Sequence, residues 1–167
     1  MAIRRKTMID IDETREPDAI IRTFILFFQT AREVQKFADS FLFREARLSL
    51  VQFITLMSLE ANNGVMTPSE IAEWTQTERH NITTLVRRML KDGLIETKPD
   101  SNDRRIINVF ITKKGRDVLK RGTPLAKEVI DKVMLSMTEN DAIQLEKSMR
   151  FMRLNAHSSL ENLTQRT

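Results

Sequence analysis

Apolar positions change their spacing several times along the chain, and each change marks an element. Across residues 17–43, Ile20, Ile21, Phe24, Phe27, Phe28, Ala31, Val34, Phe37, Ala38 and Phe41 recur at three- and four-residue steps. That spacing predicts one long helix with a broad apolar stripe. The stripe carries more phenylalanine than a single small domain can cover. Arg44-Glu45-Ala46-Arg47 interrupts it, and residues 48–61 follow as a second helix, apolar almost all round through Leu50, Val51, Phe53, Ile54, Met57 and Leu59. Such a helix belongs at the centre of a core. Asn62-Asn63-Gly64 ends it.

The next stretch is denser in signals. Thr67-Pro68-Ser69-Glu70 is a helix start, with Thr67 as cap, Pro68 in the first turn and Glu70 closing a capping box. A polar turn, Thr75-Gln76-Thr77, leads to a helix burying Ile82, Leu85, Val86 and Met89 at i, i+3, i+4 and i+7. Its opposite face presents Arg79, His80, Asn81, Thr83, Thr84, Arg87, Arg88 and Lys91. Gly93 can take the left-handed turn that closes it. Two short apolar runs, 94–97 and 106–111, flank Pro99-Asp100-Ser101-Asn102-Asp103 with Arg104 and Arg105, which predicts a β-hairpin with a basic tip. Helix, turn, helix and basic hairpin make a winged helix-turn-helix.

Beyond the hairpin, Thr112 caps a helix expected to break near Gly122-Thr123-Pro124, because proline lacks a backbone donor and disfavours helical geometry just before it. The helix resumes over 125–137. Thr138-Glu139-Asn140-Asp141 starts a last helix, in which Leu145, Met149, Met152, Ala156, Ser159 and Leu163 form a heptad-like seam. The expected organisation is a flexible arm (1–16), an N-terminal dimerisation helix (17–47), a winged helix-turn-helix (48–115) and C-terminal helices completing the dimerisation domain (116–167). The fold class is mainly α with a small β-hairpin wing.

Charge sharpens this picture. The 167 residues carry a formal net charge of +4. Residues 77–121 hold 12 Lys and Arg against 6 Asp and Glu, a local net of +6, and the rest of the chain nets −2. The positive excess coincides with the proposed DNA-reading unit, as phosphate neutralisation requires. The absence of cysteine excludes disulfides, thiol sensing and thiolate metal sites. Two scattered histidines, His80 and His157, offer no metal set; His80 reads as a polar contact on the recognition face and His157 as a surface residue. No cofactor is expected. Met1-Ala2-Ile3-Arg4-Arg5-Lys6 is followed by Asp10, Asp12 and Glu13 rather than an apolar run, so neither a secretory signal nor a membrane span is predicted and the expected location is cytoplasmic. No phosphate loop, nucleophile elbow or catalytic triad stands out, so no enzyme activity is expected.

From Leu48 to Gly115 the chain resembles the MarR family of winged-helix transcription regulators. The resemblance rests on Leu48-Ser49-Leu50-Val51-Gln52-Phe53, Ile71-Ala72-Glu73, Asn81-Ile82-Thr83 with Leu85-Val86, and Leu90-Lys91-Asp92-Gly93-Leu94-Ile95. It ends on Asp103-Arg104-Arg105 and Ile111-Thr112-Lys113-Lys114-Gly115. Thr75, Glu78 and Thr84 depart from the family's pattern. The resemblance implies a homodimer with interlocked N- and C-terminal helices, two winged domains meeting successive major grooves, and repression relieved by a small ligand. It makes Asn81 and Thr83 base or phosphate contacts and Asp103, Arg104 and Arg105 the wing tip.

The residue types suit this task. Arginine can pair with guanine and asparagine with adenine, both bidentately, while the threonine methyl meets thymine's methyl. Asp103 can orient one arginine while the other enters a minor groove. The expected DNA-contacting set is Ser69, Thr77, Arg79, His80, Asn81, Thr83, Thr84, Arg87, Arg88, Asp103, Arg104 and Arg105, on a pseudo-palindromic double-stranded operator. With thiol and metal sensing set aside, an apolar small effector remains, lined by Phe24, Phe28, Phe53 and Met57 between the dimer helices and the DNA-reading unit. Trp74 reads as exposed. The alternative is a winged helix diverted to protein–protein contact without a small-molecule ligand.

Overall fold

A computed structural model describes residues 18–77 and 79–164. The expected arm, residues 1–16, lies outside the described residues. The described residues form two compact units, divided between Val129 and Ile130.

In the first unit, α1 (Ala19–Ala46) starts at Asp18, whose carboxylate accepts from the backbone N–H groups of Ile20 and Ile21 at 2.7 and 3.3 Å. It runs three residues past the expected end and stops where Arg47 turns left-handed at φ 54°. Only Ala38, Phe41 and Leu42, near its C-terminal end, are buried. Next, α2 (Leu50–Ala61) begins two residues later than its apolar pattern suggests, because Ser49 caps it in a reciprocal box with Gln52. That polar box defines the first turn, and Leu48 becomes a fully buried loop residue. As expected, α2 is central: Phe53, Leu56 and Leu59 are buried, as are Thr55 and Ser58, whose hydroxyls donate to the carbonyls of Val51 and Thr55 within the helix.

The strand β1 (Val65–Met66) precedes α3 (Pro68–Thr75) and α4 (Arg79–Lys91); β2 (Ile95–Pro99) and β3 (Ile107–Ile111) form the wing hairpin. The sheet order is β1-β3-β2, antiparallel throughout, with Ile95 opposite Ile111, Thr97 opposite Val109 and Met66 also beside Val109. Two residues carry no periodicity, so β1 is invisible until β3, more than forty residues later, supplies its partner. Ile71, Ile82, Leu85, Met89, Leu94, Ile95, Val109 and Ile111 close the core against α2.

The helix α5 (Lys113–Val133) corrects the expected break at Gly122-Thr123-Pro124: it is continuous, with Pro124 inside it. Its first turn is capped by Thr112, whose hydroxyl accepts from the Gly115 N–H at 3.0 Å. Packing overrides the proline. Gly122 lies against the Phe53 ring, so close that a Cβ there would stand 3.0 Å from Phe53 Cδ2, and the Thr123 hydroxyl donates to the Leu119 carbonyl at 2.9 Å. Gly115 is equally constrained, since a Cβ would collide with the Leu94 carbonyl.

In the second unit, α6 (Glu139–Thr164) starts as expected at Thr138, whose backbone N–H and hydroxyl donate to Asp141 Oδ2 at 2.9 and 2.7 Å. No residue of α6 is buried, the seam residues Leu145, Met149 and Leu163 included. His157 is exposed and stands 3.3 Å from Glu161. No described helix is long and apolar enough to cross a membrane.

Candidate nucleic-acid interface

The turn between α3 and α4 sets the interface. Thr67 and Glu70 cap α3 reciprocally; Thr67 N–H and hydroxyl donate to Glu70 Oε2 at 2.6 and 2.9 Å, which holds the Glu70 carboxyl below its usual pKa. The far end of α3 turns on Gln76, left-handed at φ 51°. Thr75, where the family pattern has an apolar residue, satisfies its hydroxyl on the Ile71 carbonyl at 2.7 Å, so a polar side chain is accommodated there without an unpaired group. Thr77 is half-buried and lies outside the exposed face; its hydroxyl reaches the Thr75 carbonyl at 3.4 Å.

On α4, Ile82, Leu85 and Met89 are buried and Val86 half-buried. His80, Asn81, Thr83, Thr84, Arg87, Arg88 and Lys91 are exposed. Arg79 opens the helix, but its side chain lies outside the described residues, as does Glu78. Arg88 behaves differently from its neighbour Arg87: its guanidinium turns back toward the Ser49 hydroxyl, 3.4 Å away.

The helix is closed and held by side chains outside the expected DNA-contacting set. Gly93, at φ 69°, takes the left-handed turn expected of it. The Thr112 hydroxyl lies 2.8 and 3.1 Å from the carbonyls of Gly93 and Leu94, and Lys114 Nζ donates to the Asp92 carbonyl at 2.6 Å. Gln52, almost wholly buried, donates to Asp92 Oδ2 at 3.2 Å. Its signal in the sequence is the Ser49-x-x-Gln52 spacing of a capping box.

The wing tip is built on two carboxylates. Asp100 Oδ1 accepts from the N–H groups of Asn102 and Asp103, and Asp100 Oδ2 from the Asn108 carboxamide, at 2.8, 3.2 and 2.9 Å. The Asn102 N–H, followed by Asn108 and Asp103, keeps the Asp100 carboxyl below its usual range. Asp103 grips one arginine: Arg105 Nε and Nη2 donate to its two oxygens at 3.0 Å each, and Arg105 N–H adds a third bond. The Arg105 guanidinium chiefly lowers the Asp103 pKa, and the pair raises that of Arg105. Arg104 is exposed with no hydrogen bond or ion pair among the described residues. The tip end of the wing and the start of α3 meet: Thr67, Pro68, Ser69, Arg105, Ile106 and Ile107 line one open groove of about 450 Å³. Ser69 and Arg105, far apart in sequence, therefore share a surface.

The residues expected to line an effector site are not gathered in a protomer. Phe24 and Phe28 pack edge-to-face on α1, ring centroids 4.9 Å apart, and both are exposed. They lie about 20 Å or more up the helix from Phe41, where α1 meets the core. Phe53 is sealed in the core against Gly122, and Met57 is exposed on α2. Trp74 is half exposed on α3, as expected.

A winged helix-turn-helix with its polar recognition face open is thus the class of protein these elements define. Residues 48–106 match the MarR family. The chain is 26% identical over 108 residues to the HTH-type transcriptional repressor NicR of Pseudomonas putida, covering 65% of this chain and 68% of NicR. Across the curated relatives it matches, the chain spans from 52% to 68% of their length. Among solved structures, the organohalide-sensing RdhR transcriptional regulator, in its 2,4-dichlorophenol-bound form, superposes with a TM-score of 0.76 at 21% identity, covering 93% of this chain and 89% of its own. Sco3205, a MarR family transcriptional regulator from Streptomyces coelicolor solved in complex with DNA, gives 0.74 at 20% identity, covering 78% and 83%. At these identities the structures establish the fold.

Proposed function

We propose that this chain is a sequence-specific double-stranded-DNA-binding transcriptional regulator, working as a homodimeric repressor that a small apolar or aromatic ligand releases. One observation carries the DNA-binding reading. Asn81, Thr83, Thr84 and Arg87 line the exposed face of a rigidly capped helix without a partner among the described residues, beside a wing whose tip carries two arginines. A merely solvated face needs neither the clamps on Asp92 and Gly93 nor the Asp103–Arg105 grip. The match of residues 48–106 to the MarR family and the DNA complex of Sco3205 support it. The repressor name of NicR and the phenol bound to RdhR support repression and an aromatic effector.

In helix-turn-helix docking, side chains near the start of the second helix reach base edges. That assigns base reading to Arg79, His80, Asn81, Thr83 and Thr84, and we assign backbone contact to Ser69, Arg87 and Arg88, with Arg104 and Arg105 at an adjacent minor groove beside Asp103. Fluorescence anisotropy with DNA from upstream of the chain's own gene tests the reading. Saturable binding that survives competitor DNA supports it; no preference for any sequence at low salt favours a protein-contact module. Asn81→Ala should alter which operator variants are preferred, by about 1–3 kcal/mol when a bidentate pairing is removed. Equal weakening on every sequence would make Asn81 a phosphate contact instead.

A further inference from the structure

We propose that Gln52 is a positioning residue, the joint through which the α1–α2 junction sets the pose of the recognition helix α4; this rests on the DNA-reading assignment above. Gln52 is a polar side chain buried to 5% exposure, and unlike Thr55 and Ser58, whose hydroxyls are satisfied within α2, it bonds outside its own helix. Its carboxamide is used at both ends. Oε1 accepts from the Ser49 N–H and hydroxyl at 3.0 and 3.1 Å, and Nε2 donates to Asp92 Oδ2 at 3.2 Å. The chemistry leaves one orientation: an ionised carboxylate only accepts, so the amide nitrogen must face Asp92, and the oxygen must face the Ser49 N–H.

The surrounding groups extend this contact into a continuous polar chain. Upstream, Asp39 of α1 accepts from the Leu50 N–H at 2.8 Å, tying α1 to the first turn of α2. At the centre, the Ser49 hydroxyl lies 3.3 Å from the Gln52 N–H and 3.4 Å from Arg88 Nη2. Downstream, Asp92 follows the last residue of α4, its N–H donating to the Arg88 carbonyl at 2.9 Å, and its own carbonyl takes Lys114. Arg88 and Asp92 are four residues apart, one turn, and both reach the same cap. The recognition helix is therefore gripped at its C-terminal end by the capping box that opens α2, Ser49 with Gln52, and Ser49 stands two residues after the left-handed Arg47 that ends α1. Apolar contacts of Leu85 and Met89 hold α4 onto the core but slide with little directional preference; the amide–carboxylate bond fixes its rotation. A shift of α1 reaches α4 through this joint.

The test is an exchange of the two polar groups. Gln52→Glu keeps the acceptor for Ser49 and sets a carboxylate against Asp92. Asp92→Asn in the same chain restores a donor–acceptor pair with the roles reversed. Operator and non-specific duplex affinities are measured for the wild type, each single variant and the double variant, with circular dichroism melting as a check on folding. Gln52→Glu should bind operator about tenfold more weakly with little change on non-specific DNA, as expected when a charged hydrogen bond becomes a repulsion, and the double variant should recover most of that affinity. Undiminished operator preference in Gln52→Glu, or a folded double variant that recovers nothing, overturns the proposal. Should the wild type itself discriminate no sequence, the DNA-reading assignment fails on that result alone. The joint is then decided by the amide chemical shifts of residues 88–94: displaced in Gln52→Glu and returned in the double variant if it holds, unmoved if it does not.

Discussion

Asp103 shows how one residue divides the labour of two neighbours. By taking Nε and Nη2 of Arg105 at 3.0 Å it fixes that guanidinium at the wing tip, on the groove shared with Ser69, while Arg104 stays in solvent. Both arginines are legible in the sequence as tip residues, but which one the carboxylate holds depends on the turn that Asp100 organises. If both meet DNA, Arg104→Ala with Arg105→Ala should weaken binding and lower the slope of log K against log salt by about one for each phosphate left unneutralised. An unchanged slope would remove the wing from the interface. The same carboxylates give a pH prediction. Both Asp100 and Asp103 have folded pKa values below the ordinary aspartate value of 3.8, through hydrogen bonds that the charged forms accept more strongly than the neutral ones. Their contribution to wing order is therefore full above the unfolded pKa, and it vanishes as pH falls through the lower folded values. Carboxyl titration by NMR should show both midpoints below 3.8; midpoints at or above it would mean that the turn is not held this way in solution.

Among the elements, those built on local rules were legible and those built on distant partners were not. The capping box at Thr67, the inward face of α4 (with Val86 half-buried), the Gly93 stop and the Thr138 start each need only a few adjacent residues, and each is found in the structure. The strand β1 and the buried Gln52 depend on groups about forty residues away, and no local spacing announces the pairing. In α5 a strong local rule is overridden. Pro124 removes a backbone donor and crowds the carbonyl four residues before it, but Gly122 docks on Phe53 and Val129 packs with Ala38 and Phe41, so the two halves are held in line. The proline is a tolerated cost. Pro124→Ala should accordingly stabilise the protein, by up to about 3 kcal/mol if the full helix-interior penalty is recovered, read as a rise in the midpoint of urea unfolding. A lower midpoint would show that α5 relies on the ring, through packing or through its restriction of the unfolded chain.

At the scale of the whole molecule, what is missing is cover. Ile20, Phe24, Leu26 and Phe28 of α1 are 80%, 55%, 54% and 51% exposed, and Leu154, Leu160 and Leu163 of α6 about 60% or more. Soluble monomers rarely leave contiguous apolar surface of more than a few hundred Å² in water. Both helices lie outside the matched segment 48–106, and both contain the spacing from which dimerisation is expected. A second copy of the chain, placing its own α1 and α6 on these faces, would bury both stripes and bring two recognition helices onto one duplex. The operator would then be pseudo-palindromic, with half-sites about 10 base pairs apart. Such a dimer would also give the exposed Phe24, Phe28 and Met57 a route to a shared site through the partner's helices, whereas Phe53 stays sealed in the core. Sedimentation at micromolar concentration should report twice the mass of one chain. The Phe28→Asp, Leu163→Asp double variant should sediment as a monomer, keep most of its helix signal and fail to bind operator while retaining weak non-specific binding. A wild-type chain that sediments as a monomer with native helix content would overturn the dimer and, with it, the two-fold operator.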